Sequence, residues 1–191
     1  MNNFIPKHGG YQKLNSYQKA EIVFAGTVYF TKRYYSRGDR TIDQMIQAAR
    51  SGKQNIIEAS LASGTSKEME IKLTSVARSS QGELLEDYRD FLRCRNLVEW
   101  HKNHRYAVHL RLLMREMPTG YEIFRKGIEN GDPAISANVM IGLIKVTSYL
   151  LDQQIKHLEQ EFLKEGGLRE RMTRARLKSR GQEGTKGTKG T

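Results

Sequence analysis

The chain has 191 residues, enough for one substantial hydrophobic core and too few for two comfortable ones. Lys and Arg number 32 against 21 Asp and Glu, a net charge of +11, so polyanions such as nucleic acid are the natural partner class. The single cysteine, Cys94, excludes an intrachain disulfide framework and fits a reducing cytosol, where it reads as a small packed hydrophobe rather than a catalytic thiol.

Residues 1–13, with Pro6 and Gly9-Gly10, read as a flexible arm. No signal-peptide pattern opens the chain and no stretch reaches the ~18 apolar residues of a membrane span, so a cytoplasmic protein without membrane contact is expected. From Asn15 or Ser16 as cap, a first helix is expected to reach Arg37, and its middle is apolar on nearly every side through Ile22, Val23, Phe24, Val28, Tyr29 and Phe30. A strand over EIVFAGTVYF is the weaker alternative, because the flanks are helical. Gly38-Asp39 then makes a turn, and Asp39 or Thr41 opens the second helix.

That second helix carries Ile42, Met45, Ala49, Gly52, Ile56, Ala59 and Ser63 at three- and four-residue steps, an apolar stripe made of small residues. A neighbouring helix can approach such a stripe closely, and the approach must offset the ~1 kcal/mol that mid-helix Gly52 costs relative to Ala. At the next corner Gly64 can adopt the left-handed conformation and Thr65 or Ser66 can cap the next helix; with Thr65 as cap, Glu68 completes a capping box. The third helix, Ser66 to about Arg95, sets Met69, Leu73, Val76, Ser80, Leu84, Tyr88 and Phe91 on one face and Ile71, Leu85 and Leu92 on a second. A fourth long helix begins at Asp132-Pro133 and ends at Glu165 before Gly166-Gly167.

The fold class expected from these elements is all-α: an up-down-up-down four-helix bundle over residues 14–165, with a helical insertion at about 96–131 between its third and fourth helices. The insertion holds an amphipathic helix, about His104 to Met117, then Pro118 and a shorter piece ending near Gly131. Residues 166–180 form a basic suffix helix and residues 181–191, rich in Gly, Thr and Lys, are expected to be disordered. Residues 166–191 carry eight Lys or Arg against two Glu, so more than half of the net charge lies there.

The run QAARSGKQNIIEASLASGTSKEMEIKLTSVARSSQGELLEDYRDFL resembles the four-helix-bundle family named for the 23S rRNA intervening-sequence proteins. That family also includes the accessory variability determinant of diversity-generating retroelements. The residues carrying the resemblance are Arg50-Ser51, Asn55-Ile56 with Glu58, the Ser66-Lys67-Glu68 corner and Glu83-Leu84-Leu85. The family's usual Glu-Gly after Asn-Ile is Glu58-Ala59 here. The match covers roughly residues 15–95 well and the fourth helix loosely, and the insertion and basic suffix look like the family's suffix-domain variant. The resemblance implies a barrel-like homopentamer with basic surfaces, and in the retroelement relative a reverse-transcriptase partner and nucleic-acid binding. It implies no catalytic residues.

The candidate chemistry is sparse. Asn55 and Glu58 lie one turn apart beside the Ala49 and Gly52 seam, where they form either a structural clasp or a ligand contact. Between Arg93 and Arg115 six Lys or Arg face Glu99 alone, with Trp100, His101, His104, Tyr106 and His109 interleaved. Aromatic rings among cations suit RNA or single-stranded DNA, the bland alternative being a solvated helix anchored by Trp100. His101-x-x-His104 with His109 lacks a fourth ligand at a zinc spacing, and Glu83, Glu86, Asp87 and Asp90 read as a charged surface rather than a diiron set. No cofactor is implied. The expectation is a non-enzymatic oligomer binding RNA or DNA electrostatically, with Arg169, Arg171, Arg174, Arg176, Lys178 and Arg180 as first phosphate contacts and Arg105, Arg111 and Arg115 as second. The alternative is a protein-interaction scaffold.

Overall fold

The computed structural model describes residues 9–116 and 120–186, with backbone alone for 116 and 178–186. Every long element among them is an α-helix: α1 (Asn15–Tyr34), α2 (Arg40–Ala62), α3 (Lys67–Cys94), α4 (Arg105–Glu116), α5 (Tyr121–Ile128), α6 (Pro133–Glu165) and α7 (Leu168–Lys186), preceded by a 3-10 turn at Tyr11–Lys13. Residues 1–8 of the expected arm lie outside the described residues. Residues 9–13 are seated on the fold, the Gly9 N–H donating to the Ser60 carbonyl at 3.1 Å and Tyr11 meeting Tyr17 edge-on at 4.9 Å.

Two helix starts follow directly from their capping residues. Asp39 accepts from the Thr41 N–H at 2.9 Å, and Asp132 accepts from the Ala134 N–H at 2.8 Å with Pro133 behind it at the first helical position. Gly166, at φ +69°, ends α6. Elsewhere the caps differ from expectation. Ser16 does not cap α1; its hydroxyl donates to Gln154 Oε1 on α6 at 2.9 Å, tying the start of α1 to another helix. α1 also stops at Tyr34 rather than Arg37, because Tyr35 turns extended and lays its ring 5.5 Å from that of Phe91. At the α2–α3 corner Ser66, not Thr65, accepts from the Met69 N–H at 3.1 Å, so Glu68 completes no capping box. Thr65 donates back to Ala62, and the left-handed glycines are Gly9, Gly38 and Gly166, not Gly64.

The four long helices contact one another in a ring, α1 against α2 and α6, and α3 against α2 and α6. α4 and α5 lie on α6, and α5 also reaches α1. With four neighbours, α6 is buried without a break from Ser136 to Ile141, a run with no polar face to spare. Contrary to the sequence expectation, α6 and its continuation hold one stretch long and apolar enough to cross a membrane; 61% of that window is buried inside the molecule. At the Tyr34 end of the ring, Phe30 packs 4.7 Å from both Tyr88 and Phe91, and the Tyr88 hydroxyl donates to Thr27 Oγ1 at 3.1 Å. Such ring pairs contribute about 0.5–1.5 kcal/mol each beyond their buried area.

The α2 stripe is buried at Met45, Ala49, Gly52, Ile56 and Ala59, with Ile42 and Ser63 half-buried at its ends. Its partner on α3 is not the expected one in the first half of that helix. Glu70, Thr74, Ala77, Ser80 and Gln81 face inward there, while Met69 and Val76 are 44% and 40% exposed. The reason lies in Gly52: a Cβ at that position would fall on the Gln81 amide, so the small α2 seam receives a polar side chain rather than Leu73 or Val76. The fully buried Gln81 amide has no hydrogen-bond partner among the described residues, whereas Ser51 and Ser80 beside it share a hydrogen bond of 2.9 Å.

Gly52→Ala should destabilise the protein, yet stabilise it by up to about 1 kcal/mol in a Gln81→Ala background, where the clash is gone and only the helix-propensity gain remains. Chemical denaturation of the two single variants and the double variant measures this coupling, about 0.5–3 kcal/mol for residues in contact; additive effects would refute the clash. Lys19 is 3% exposed, and its ammonium has no hydrogen-bond partner among the described residues, lying 5.6 Å over the Phe124 ring. Burial lowers its pKa. Because the folded-state pKa is depressed, the cost is largest at low pH and fades as pH rises through it. Lys19→Met should therefore raise the melting temperature at pH 7, corresponding to about 1–3 kcal/mol, with the advantage shrinking in alkaline buffer.

Candidate nucleic-acid interface

The insertion is positioned by one buried amide. Asn138 of α6 donates to the Val98 carbonyl at 2.9 Å and accepts from the Trp100 N–H at 2.6 Å, pinning the backbone on either side of Glu99 in an otherwise irregular segment. Glu99 between them bridges Arg89 at 3.1 Å and Lys145 at 2.5 Å. Its burial favours the neutral acid, but the two cations outweigh that and hold its pKa below the usual value. Asn96 takes a left-handed φ of 54°, letting the Leu97 N–H turn back to the Leu92 carbonyl at 2.9 Å. α4 then seats Leu110 against Gly142, where a Cβ would collide with the leucine side chain.

This anchoring presents an aromatic and cationic surface. The Trp100 and His104 rings stack at 4.9 Å and 17°, Tyr106 lies 5.4 Å from Trp100, and the Arg105 guanidinium sits 4.6 Å over Tyr106. Arg111 donates to the Lys102 carbonyl at 2.6 Å, and Arg105, Arg111 and Arg115 are all exposed. By contrast Arg93 pairs with Asp90, and Arg95 stacks 3.8 Å over Phe91 while donating to the Tyr34 carbonyl, so these two serve the fold.

The second basic region is α7, which makes only marginal contact with the other helices. Arg169, Arg174 and Arg176 are exposed, Arg174 donating to the Glu165 carbonyl, while the Arg171 guanidinium is partly enclosed without a hydrogen-bond partner among the described residues. The side chains of Lys178 and Arg180 lie outside the described residues. The helix continues to Lys186, beyond the expected end at 180, and residues 187–191 lie outside the described residues. α6 separates the two basic regions: α4 packs near its start and α7 follows its end, so a helix roughly 50 Å long stands between them.

A third group of cations was not expected. Lys32, Arg33, Arg37 and Arg40 are exposed around the α1–α2 corner, at the same end as the insertion, since the Tyr34 hydroxyl donates to the Asn130 carbonyl. In the run TKRYYSRGDR they look like an ordinary helix end, where cations suit the dipole; only the fold brings them near α4 and α5.

Other candidates resolve differently. Asn55 turns back to Ser51, donating to its carbonyl at 2.9 Å, and Glu58 is exposed, so the two form no clasp within the chain. Ala49 and Gly52 are buried as seam residues. Cys94 is exposed at the end of α3 rather than packed. His101 accepts from the Asn103 N–H and His104 stacks on Trp100; among the described residues no three potential ligand side chains converge as a metal site would require. Glu86 and Asp90 pair with Arg89 and Arg93. No family model, no curated protein and no solved structure matches the chain.

Asp87 stands apart in that carboxylate group. Burial, with Asp90 and Glu83 adding repulsion, pushes its pKa up to about 6. A carboxyl whose folded pKa exceeds its unfolded value of about 3.9 disfavours folding once ionised, so this group's contribution falls as pH rises between about 4 and 6. Asp87→Asn should raise the melting temperature at pH 7.5 and leave it nearly unchanged at pH 4; an equal shift at both would remove the electrostatic explanation.

Proposed function

We propose that this chain is a non-enzymatic, cytoplasmic nucleic-acid-binding protein. In this reading it is an up-down four-helix bundle of the 23S rRNA intervening-sequence type, with α4 and α5 as an insertion and α7 as a suffix. The observation that carries the proposal is the grouping of unpaired cations. Several cations are paired, Lys67 with Glu70 and Glu161, Arg78 with Asp152, Arg89 with Glu86 and Glu99, and Arg125 with Glu122. Others on the long helices, such as Arg50, Lys53 and Lys72, have no ion pair among the described residues. The insertion and suffix are set apart by how densely their unpaired cations are grouped. Arg105, Arg111 and Arg115 of the insertion and Arg169, Arg171, Arg174 and Arg176 of the suffix have no ion-pair partner among the described residues. Cations without carboxylate partners beside Trp100 and Tyr106 suit phosphates with unstacked bases, and bind with little sequence preference.

Assembly as a homo-oligomer, a pentamer by the resemblance, is part of the same reading. Met69, Leu73 and Val76 form an apolar stripe on the outer side of α3, with Leu61 also exposed nearby in sequence on α2. That stripe, with Met172 and Leu177 on α7, favours a second reading in which the chain is a scaffold for a protein partner.

Fluorescence anisotropy with labelled RNA and single-stranded DNA, across a salt series, separates the two. Full-length protein should bind with affinity that falls steeply as salt rises, and a chain ending at Glu165 should bind at least about ten-fold more weakly at low salt. Arg105→Gln/Arg111→Gln/Arg115→Gln should flatten the plot of log affinity against log salt by roughly 0.7–0.9 per lost phosphate contact. Undiminished binding by both variants would sink the nucleic-acid reading; capture of one stoichiometric protein that survives nuclease and high salt would favour the scaffold.

A further inference from the structure

α4, α5 and α6 line a cavity of about 400 Å³, open on one side, that shares Trp100 and Tyr106 with the proposed nucleic-acid surface but whose apolar depth that reading does not use. It lies within the size range of small-molecule sites. Its walls are apolar where Leu113, Phe124, Ile135 and Val139 meet, and Trp100 and Tyr106 add aromatic surface. α5 lies so close to α6 that a Cβ at Gly127 would stand 3.0 Å from Val139, which closes the cavity on that side.

The polar groups are few and of one kind. Among the described residues, besides the Trp100 and Tyr106 tips, only His109, Lys126 and Asn130 bring polar side chains to the lining, and no carboxylate lines it. Lys126 is exposed and makes no ion pair among the described residues. The Asn130 side-chain carbonyl already accepts from the Asp132 N–H at 2.9 Å, which leaves its amide hydrogens to be given. The nearest acids in sequence are committed elsewhere, Glu122 to Arg125 at 2.8 Å and Glu129 to the Tyr121 hydroxyl at 3.0 Å.

We infer that this cavity binds a small amphipathic carboxylate, its hydrocarbon body against Leu113, Phe124, Ile135 and Val139 and its acid group at the mouth between Lys126 and His109. A lysine cation with no carboxylate among the described lining residues selects an anion, and apolar walls select one with a single charge, since a nucleotide would have to strip water from base edges and phosphate that these walls cannot replace.

Trp100 is the only tryptophan in the chain and lines the cavity, so its emission reports occupancy directly. Full-length protein titrated with decanoate below its micelle concentration should show a saturable change, with decanol and decylammonium at least about ten-fold weaker. Lys126→Gln, on an exposed position that leaves the fold intact, should weaken decanoate about three- to five-fold. Ile135→Phe should narrow the apolar end of the cavity and weaken the response, with circular dichroism checking that the helices persist. An equal response to the three head groups, or no effect of Lys126→Gln, overturns the assignment. So does stoichiometric displacement of decanoate by a short single-stranded DNA, which would give the cavity to a base. Loss of self-association in Ile135→Phe, with no decanoate response in the unmodified chain, would instead give it to a second copy.

Discussion

The fold depends on the need to cover α6 from every side. A helix buried around its whole circumference needs neighbours on every side, and from Ser136 to Ile141 every residue of α6 is buried. α1 and α3 cover part of it, and α4 and α5 supply the remaining cover at its first half. α4 and α5 are therefore part of the core rather than additions to it. Their Leu110, Met114, Phe124 and Ile128 join the same cluster as Phe30, Tyr88 and Leu143. The same requirement explains Asn138. A polar side chain so deep in an apolar helix would be costly unless satisfied, and its amide is used up by the backbone of residues 98 and 100.

The ring of long helices has two unlike halves. Near Tyr34 it is aromatic, held by large interlocking rings that tolerate little change in volume. Near Ser66 it is small and polar, with Ala20, Ile56, Ala77 and Leu151 forming a modest cluster beside Thr74 and Gln81. Polar groups there add little net stability, but Ser51 meeting Ser80 and Gln81 meeting Gly52 penalise any shift of α3 along α2. The aromatic half supplies cohesion and the polar half supplies register.

The parts of this arrangement that were readable from the chain are those set by local chemistry. Asp39, Asp132, Pro133 and Gly166 mark helix ends by hydrogen bonds or torsions that involve only their neighbours. The small stripe of α2 was equally readable, since periodicity needs no partner. The inner face of α3 was not, because Met69, Leu73 and Val76 are the more apolar choice, whereas Thr74 and Gln81 face inward and the Gln81 amide fills the room that Gly52 leaves. Ser66 and Thr65 are chemically alike, so the choice of cap rested on one residue of loop length. The candidate site divides in the same way: the cations of the insertion and suffix stand out in composition, whereas their placement at opposite ends of α6, and the corner cations beside them, follow from topology alone.

The glycine joint after α6 sets the suffix apart as a separate thermodynamic unit. Among the described residues α7 makes only marginal contact with the other helices, and Gly181 and Gly184 within it each weaken a helix by about 1 kcal/mol relative to Ala. A 19-residue helix of that composition stands close to its own coil transition, while the amides in the buried first half of α6 are expected to be among the most protected. Amide exchange along one continuous stretch of chain therefore spans nearly the full range of protection, with the break at Gly166-Gly167. A ligand that neutralises the arginines on either side of that coil transition shifts it toward helix, so affinity and helicity of the suffix rise and fall together.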